Sequence, residues 1–284
     1  MTATIPAHTT APAAPAGRRL AHEARAVRVV WQREMLHLWR SPSRIAVALV
    51  QPVVYLLVLG TGLGTVLHGT AIGTSYRTYL FPGILLMTVQ GPAIAAGVSI
   101  VWDREVGFLR EMLVAPVHRA SLLLGKCLGG AAVATCQGAL VLALAGTAGI
   151  PYDLRLFTVL TAELALTALA LTAAGAVAAV TIRRVQAFQA ILSFALMPML
   201  FLSGAMFPLT ALPPWLATVT LLNPLTYSVD LLRQAVAAAL PTHSPATGPH
   251  WAGWPVSPLA ELGITATLCA TALAVAAHRF SRSS

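Results

Sequence analysis

The chain has 284 residues, of which 57% are hydrophobic and only 10% charged, with a formal net charge of +9 and a mean hydropathy of +0.76. Ordinary globular domains hold about 45–50% apolar and about 25% charged residues, so this composition excludes a water-soluble domain and points to a chain dissolved largely in lipid. The three cysteines, Cys127, Cys136 and Cys269, fall inside apolar runs with no CxxC spacing and no histidine at ligand spacing, which argues for inert buried thiols and against a disulfide or metal site.

In chain order, residues 1–24 open with MTATIPAHTTAPAAPAG, low in complexity and rich in Ala, Pro and Thr. No apolar core of a signal peptide follows before about Ile45, so the stretch reads as a disordered cytoplasmic tail and not as a leader. Over residues 25–44, Val27, Trp31, Met35 and Leu38 recur at helical spacing among Arg25, Arg28, Arg33 and Arg40. That pattern predicts an amphipathic helix lying on an anionic membrane surface, with packing on a soluble partner as the alternative.

Windows of about 19 residues then predict six transmembrane helices at about 45–67, 80–101, 121–148, 156–181, 186–207 and 258–278, so residues 45–284 form one all-α integral membrane domain. Small residues stand four apart in the third span (Gly125 and Gly129; Gly130, Ala134 and Gly138) and in the first (Gly60 and Gly64), a spacing that lets helices approach closely. Gln51-Pro52 and Gln90-Gly91-Pro92 predict kinks. Glu163, in the fourth span, reads either as a carboxylate facing a cavity for a cationic substrate or as a paired structural group. Met197, Phe201, Met206 and Phe207, in the fifth, offer an adaptable apolar substrate path or an ordinary packed core.

Between the fifth and sixth spans, PLTALPPWLATV predicts a short element at the outer surface, bent at Pro213 and Pro214. Residues 222–240 predict a second helix, either on the outer face or re-entrant, with Asn223 as N-cap and Pro224 at its first position. This helix is too short to span, and it carries Asp230 and Arg233 three apart, each costly in lipid. Trp251 and Trp254 suit an interfacial aromatic belt.

Sorted into alternate loops, the 18 Lys and Arg residues divide 15 to 3, with Arg77, Arg155 and Arg233 alone on one side. The positive-inside rule places the basic side and both termini in the cytoplasm of a plasma-membrane protein. It also accounts for the net charge without invoking nucleic acid.

The densest charge lies in WDREVGFLREMLVAPVHRASLLLGK, residues 102–126. Val106, Leu109 and Leu113 share one helical face, Asp103, Arg104, Glu105, Arg110 and Glu111 occupy the others, and Pro116 ends the helix. A short amphipathic helix tethered at both ends suits docking into a groove on a soluble partner, with a solvated connector as the alternative. No GxSxG or HExxH is present, and Gly125-Lys126 lacks the remaining residues of a phosphate loop. The chain is therefore expected not to be an enzyme, and an active transporter of this kind would draw its energy from elsewhere.

This loop resembles the cytoplasmic loop of permease subunits of type-2 ABC exporters, E-R-E-x-G-T-L-E-x-L-L-V-T-P followed by a basic residue and G-K, at Arg104, Glu105, Gly107, Leu109, Leu113, Pro116, Arg119, Gly125 and Lys126. FLSGAMFPLTALPPWLATVTLLNPLTY resembles a second family pattern, matching at Ser203, Gly204, Phe207, Pro208, Leu212, Pro213, Trp215, Asn223, Pro224 and Tyr227. Phe108 and Arg110 depart from the usual Thr and Glu, which alters charge complementarity to the partner.

The resemblance implies a permease that pairs with a second, identical copy and with two ATP-binding subunits, which would hold ATP and Mg while this chain binds no cofactor. Arg104, Glu105, Gly107, Leu109, Arg110, Glu111, Leu113 and Pro116 would then form the coupling helix. Pro208, Pro213, Trp215, Asn223, Pro224 and Tyr227 would form an outer gate or re-entrant region. The compact form with FLSGAMFP looks most like the daunorubicin-resistance branch, implying efflux of amphipathic drugs or lipids and antibiotic resistance. Export of a polysaccharide or teichoic acid, or a non-transporting membrane scaffold, are the alternatives.

Overall fold

The computed structural model describes residues 16–66, 75–105, 118–182, 184–209, 212–240, 248–251 and 254–282. Helix α1 (Ala16–Trp39) comes first; it begins inside the stretch that composition reads as a tail ending at residue 24. The first span is a continuous rod of α2 (Pro42–Val54), a π-helical turn (Tyr55–Leu59) and α3 (Gly60–Val66). Pro52 lies inside α2 and the π-turn follows at once, as expected where proline removes one backbone donor and its ring crowds the preceding turn.

Then come α4 (Tyr76–Glu105), α5 (Arg119–Leu142), α6 (Leu154–Thr181), α7 (Val185–Leu202), α8 (Pro214–Leu221) and α9 (Pro224–Ala238). Two-residue strands β1 (His250–Trp251) and β2 (Trp254–Pro255) pair antiparallel before α10 (Pro258–Arg282). Among the described residues the regular structure is otherwise helical.

Among the described residues six stretches are long and apolar enough to cross a membrane: Ile45–Gly62, Tyr76–Asp103, Arg119–Leu142, Leu154–Thr181, Val185–Leu202 and Pro258–Ser281. The six expected spans are all present, with shifted ends. The third stops at Leu142 and not at residue 148, because the chain turns through a 3-10 segment, Ala145–Ala148, closed by Gly149 at φ 74°. The fifth stops at Leu202 and not at residue 207, because Ser203 and Gly204 turn the chain, Gly204 also at φ 74°. That left-handed conformation is cheap only for glycine.

Helix α4 is the hub. Leu80, Phe81, Ile84, Leu85, Leu86 and Val89 are fully buried, and a second cluster at the other end of the bundle joins Ile100 and Val101 to Leu123, Cys127, Phe188 and Ala276. Helix α5 carries its small residues as two stripes. A Cβ on Gly125 or Gly129 would come within 2.9 Å of Val30 or 2.7 Å of Glu34 on α1, so this stripe admits α1. Gly130 and Gly138 face α4 and α6, where a Cβ on Gly138 would meet Val89 at 2.8 Å. Cys127 and Cys269 are buried, but Cys136 is exposed on α5, which corrects the expectation that all three thiols are covered.

Candidate functional site

Of the residues expected to couple to a partner, Gly107, Leu109, Arg110, Glu111, Leu113 and Pro116 lie outside the described residues; Arg104 and Glu105 end α4. The structure shows how the two ends of segment 106–117 are held. On one side, the Val185 N–H, at the start of α7, donates to Glu105 Oε2 at 3.1 Å. Arg184 occupies the N-cap of α7 without a side-chain cap, so Glu105 supplies from another helix the anion that a free helix N-terminus favours. Two residues earlier Asp103 pairs with Lys126 of α5, whose Nζ also donates to Ser99 Oγ at 3.3 Å. The Lys126 side chain is 7% exposed and that of Asp103 15%, so the pair is largely shielded from water and ties α4 to α5 beside the segment.

On the other side, α5 starts after His118, which makes no side-chain cap of its own. Glu23 of α1 fills that role: its Oε1 and Oε2 accept from the His118 N–H at 3.1 and 3.2 Å. A hydrogen bond from the Ser121 side chain, reinforced by the His118 N–H and the charge of nearby His118, holds the Glu23 carboxyl below the usual carboxylate range. Val30 and Leu38 of α1 are buried, while Trp31, Leu36 and Trp39 stay exposed. The residues flanking the segment thus tie four helices together, α1, α4, α5 and α7.

At the opposite end of the bundle, α8 and α9 form a helical hairpin. Its tip is Asn223, whose side chain accepts from the Leu225 N–H at 3.1 Å and donates to Met199 O at 2.6 Å. Tyr227 donates to Leu221 O and Thr226 to Thr220 O, both at 2.7 Å, which closes the turn. Most of α9 is buried against α4, α6 and α10. Pro213 caps α8, Trp215 is exposed and Pro208 half-buried.

The turn of FLSGAMFP plugs onto the start of α4. Gly204 O accepts from the Tyr79 hydroxyl at 3.1 Å and from Arg233 at 2.8 Å, and Met206 O accepts from the Tyr76 hydroxyl at 3.2 Å.

The residues expected to line a substrate path do not converge within one chain. Met206 is buried in the core, whereas Met197, Phe201 and Phe207 are each 48% exposed, Phe201 and Phe207 stacked 6.5 Å apart. Glu163 sits on α6 with its Oε2 lacking a hydrogen-bond partner among the described residues, while the fully buried Glu261 of α10 accepts from Gln234 Nε2 at 3.2 Å. Sequence reasoning missed Glu261, because a carboxylate one turn inside a span reads as interfacial, and it missed Glu23 and the Asp103–Lys126 pair. A lone lysine in an otherwise apolar span was the available signal for that pair.

Residues 25–236, from α1 through α9, match the family described as ABC-2 type transporter. The chain belongs to the ABC-2 type transporter family. Nodulation protein J of Rhizobium leguminosarum bv. trifolii is 30% identical over 208 residues, covering 72% of this chain and 78% of that protein. Inner membrane transport permease YadH of Escherichia coli strain K12 is 28% identical over 213 residues, covering 73% and 81%. The transport permease ycf38 of Pyropia yezoensis is 28% identical over 212 residues, covering 72% and 71%. As an ABC-2 permease this chain is a membrane-spanning transport subunit, and membership implies an ABC ATP-binding partner.

Proposed function

We propose that this ABC-2 permease is the membrane subunit of an ATP-driven exporter that moves a hydrophobic or amphipathic small molecule, a drug or a lipid, out of the cell. The observation that carries the reading is the mount of segment 106–117. Glu105, the Asp103–Lys126 pair and Glu23 tie its two ends into a set of four helices, α1, α4, α5 and α7, which suits a lever driven by a soluble subunit. Leu109 and Leu113 seat this coupling helix on the ATP-binding subunit, while Arg104, Arg110 and Glu111 make its polar contacts. Two such subunits, with ATP and Mg, serve a pair of permeases.

The basic end of the bundle faces the cytoplasm, with α1 on the inner leaflet, and the hairpin faces outward as gate. The α2–α3 rod and α7 are the least enclosed spans, at 17% and 11% buried against 61% for α4. The face of α7 bearing Ile191, Phe194, Met197 and Phe201 is exposed and receives the second copy. Names of relatives that read transport permease support cargo movement over a passive scaffold.

The test is reconstitution with the co-purifying ATP-binding subunit and a panel of amphipathic drugs and lipids. Stimulated hydrolysis and ATP-dependent uptake into inside-out vesicles are expected. Response only to polyprenyl-linked glycans would move the chain to polysaccharide export, and absence of any ATP-binding partner would make it a scaffold.

A further inference from the structure

A cavity of about 360 Å³ opens between α6, α7, α9 and α10, within the range of about 300–1,000 Å³ typical of small-molecule sites. It is a slot that follows two spans. Helices α6 and α10 run the same way, since Arg279 donates to Thr181 Oγ1 at 3.4 Å near their C-terminal ends. On α6 the wall runs from Thr167, midway along the helix, to Val177, and on α10 from Thr265 to Val275. Each stretch covers about 15 Å at 1.5 Å per residue. Helix α9 adds Leu225 and Ser228, and α7 adds Met199.

Among the described residues no charged side chain lines the slot. Glu163 and Glu261, one turn before Thr167 and Thr265, are not part of its wall. Its polar groups are hydroxyls, and they divide into two kinds. Thr265 and Thr271 donate to the carbonyl four residues back on their own helix, Glu261 O at 3.0 Å and Thr267 O at 2.8 Å, the local bond by which a helical threonine satisfies its hydroxyl. Thr167 and Ser228 make no such bond among the described residues, although each is only 3% exposed. Their place in the wall leaves both hydroxyls to the slot.

Leu268 and Val275, at 42% and 41% exposure, form one lip. The slot therefore opens sideways along α10, on a helix that crosses the bilayer, and what reaches it comes from hydrocarbon. In that setting a hydroxyl gains from any hydrogen-bonding partner because no water competes. A charged group would enter without a counter-ion, which an apolar wall penalises heavily.

We infer that this slot takes an uncharged, elongated amphipath from the bilayer, with its apolar chain along Leu171, Val177, Leu268 and Val275 and its one hydrogen-bonding group at Thr167 and Ser228. A plain alkyl chain fills the same volume but leaves both hydroxyls unanswered. The site thus prefers an alcohol to an alkane, and it refuses an ammonium or a carboxylate of the same length. Only the ligand's role as cargo rests on the export reading; binding itself is independent of it.

The test uses the full chain in lipid nanodiscs, with empty nanodiscs as blank. The probe is dodecanol carrying a mid-chain diazirine, photolysed in place and located by mass spectrometry of the labelled peptides. Adducts are expected on the α6 and α10 peptides that line the slot. Unlabelled dodecanol should displace the probe at a bilayer mole fraction about fivefold or more below that needed with dodecane, the worth of one net hydrogen bond. Dodecylammonium and laurate should not displace it. Thr167→Val with Ser228→Ala, which removes both hydroxyls at little change in shape, should bring dodecanol down to the level of dodecane and leave dodecane unchanged. Ala272→Phe, which fills the slot, should abolish labelling. Should a variant fail to fold, the order of displacement on the wild-type chain decides on its own.

Equal displacement by dodecanol and dodecane, displacement by dodecylammonium at the dodecanol level, or an alcohol preference that survives Thr167→Val with Ser228→Ala overturns the assignment. If that preference is absent yet the complex with its ATP-binding subunit transports amphipaths, the site fails and export stands; if the preference holds but no amphipath moves under ATP, the site stands and export fails.

Discussion

Gly204 holds a conformation that other residue types reach only at a cost. At φ 74° its carbonyl receives Tyr79 and Arg233, and a Cβ there would meet Leu209 at 2.9 Å. Gly204→Ala should therefore lose about 1–2 kcal/mol from the left-handed backbone alone, read as a lower unfolding temperature in nanodiscs. The string FLSGAMFP is legible in the sequence, but its physical reason is not, because the tyrosines it clamps stand 125 and 130 residues away. Glu23 makes a prediction with a sign. Its carboxyl is held below its ordinary value by Ser121 and His118, so the contact is present above the ordinary carboxylate range and is lost as pH falls through the lowered value. After correction for intrinsic exchange, amide protection at the start of α5 should fall on acidification in the wild-type chain and stay flat in Glu23→Gln.

At the scale of the helix, α5 shows how far a pattern carries. The four-residue spacing of Gly125, Gly129, Gly130, Ala134 and Gly138 predicts close approach, and the structure bears it out on two faces. Spacing alone does not say which neighbour takes which face, since glycine lacks the side chain whose chemistry would name it. Gly129→Leu should force α1 away from α5 and raise the rate at which trypsin cuts after Arg25 and Arg28, with α6 and α10 unaffected. The hairpin illustrates the converse. Asp230 and Arg233 argued correctly against a seventh span, because lipid penalises both. Of the partners that make their burial tolerable, Gln234 stands one turn from Asp230 on the same helix, but Gly204 and Tyr79 come from two other elements and have no local signature.

For the molecule as a whole, the number of spans is legible because the bilayer demands roughly 20 apolar residues per crossing. Cargo and partner are not, because they depend on which faces are left open once the helices have packed. With native cysteines replaced, Ser257→Cys should react with an impermeant thiol reagent from outside intact cells and Arg282→Cys only after permeabilisation; the reverse labelling would invert the bundle. Phe194→Cys, at 83% exposure on α7, should cross-link two copies in membranes. The central claim is that energy enters through the mounted segment. It is tested most directly by Leu109→Asp in the complex reconstituted with its ATP-binding subunit, scoring transport and hydrolysis side by side. A charge on the docking face should lower ATP-dependent transport at least tenfold while the permease remains folded and hydrolysis loses its response to cargo. Unchanged transport with unchanged co-purification of the ATP-binding subunit would contradict it.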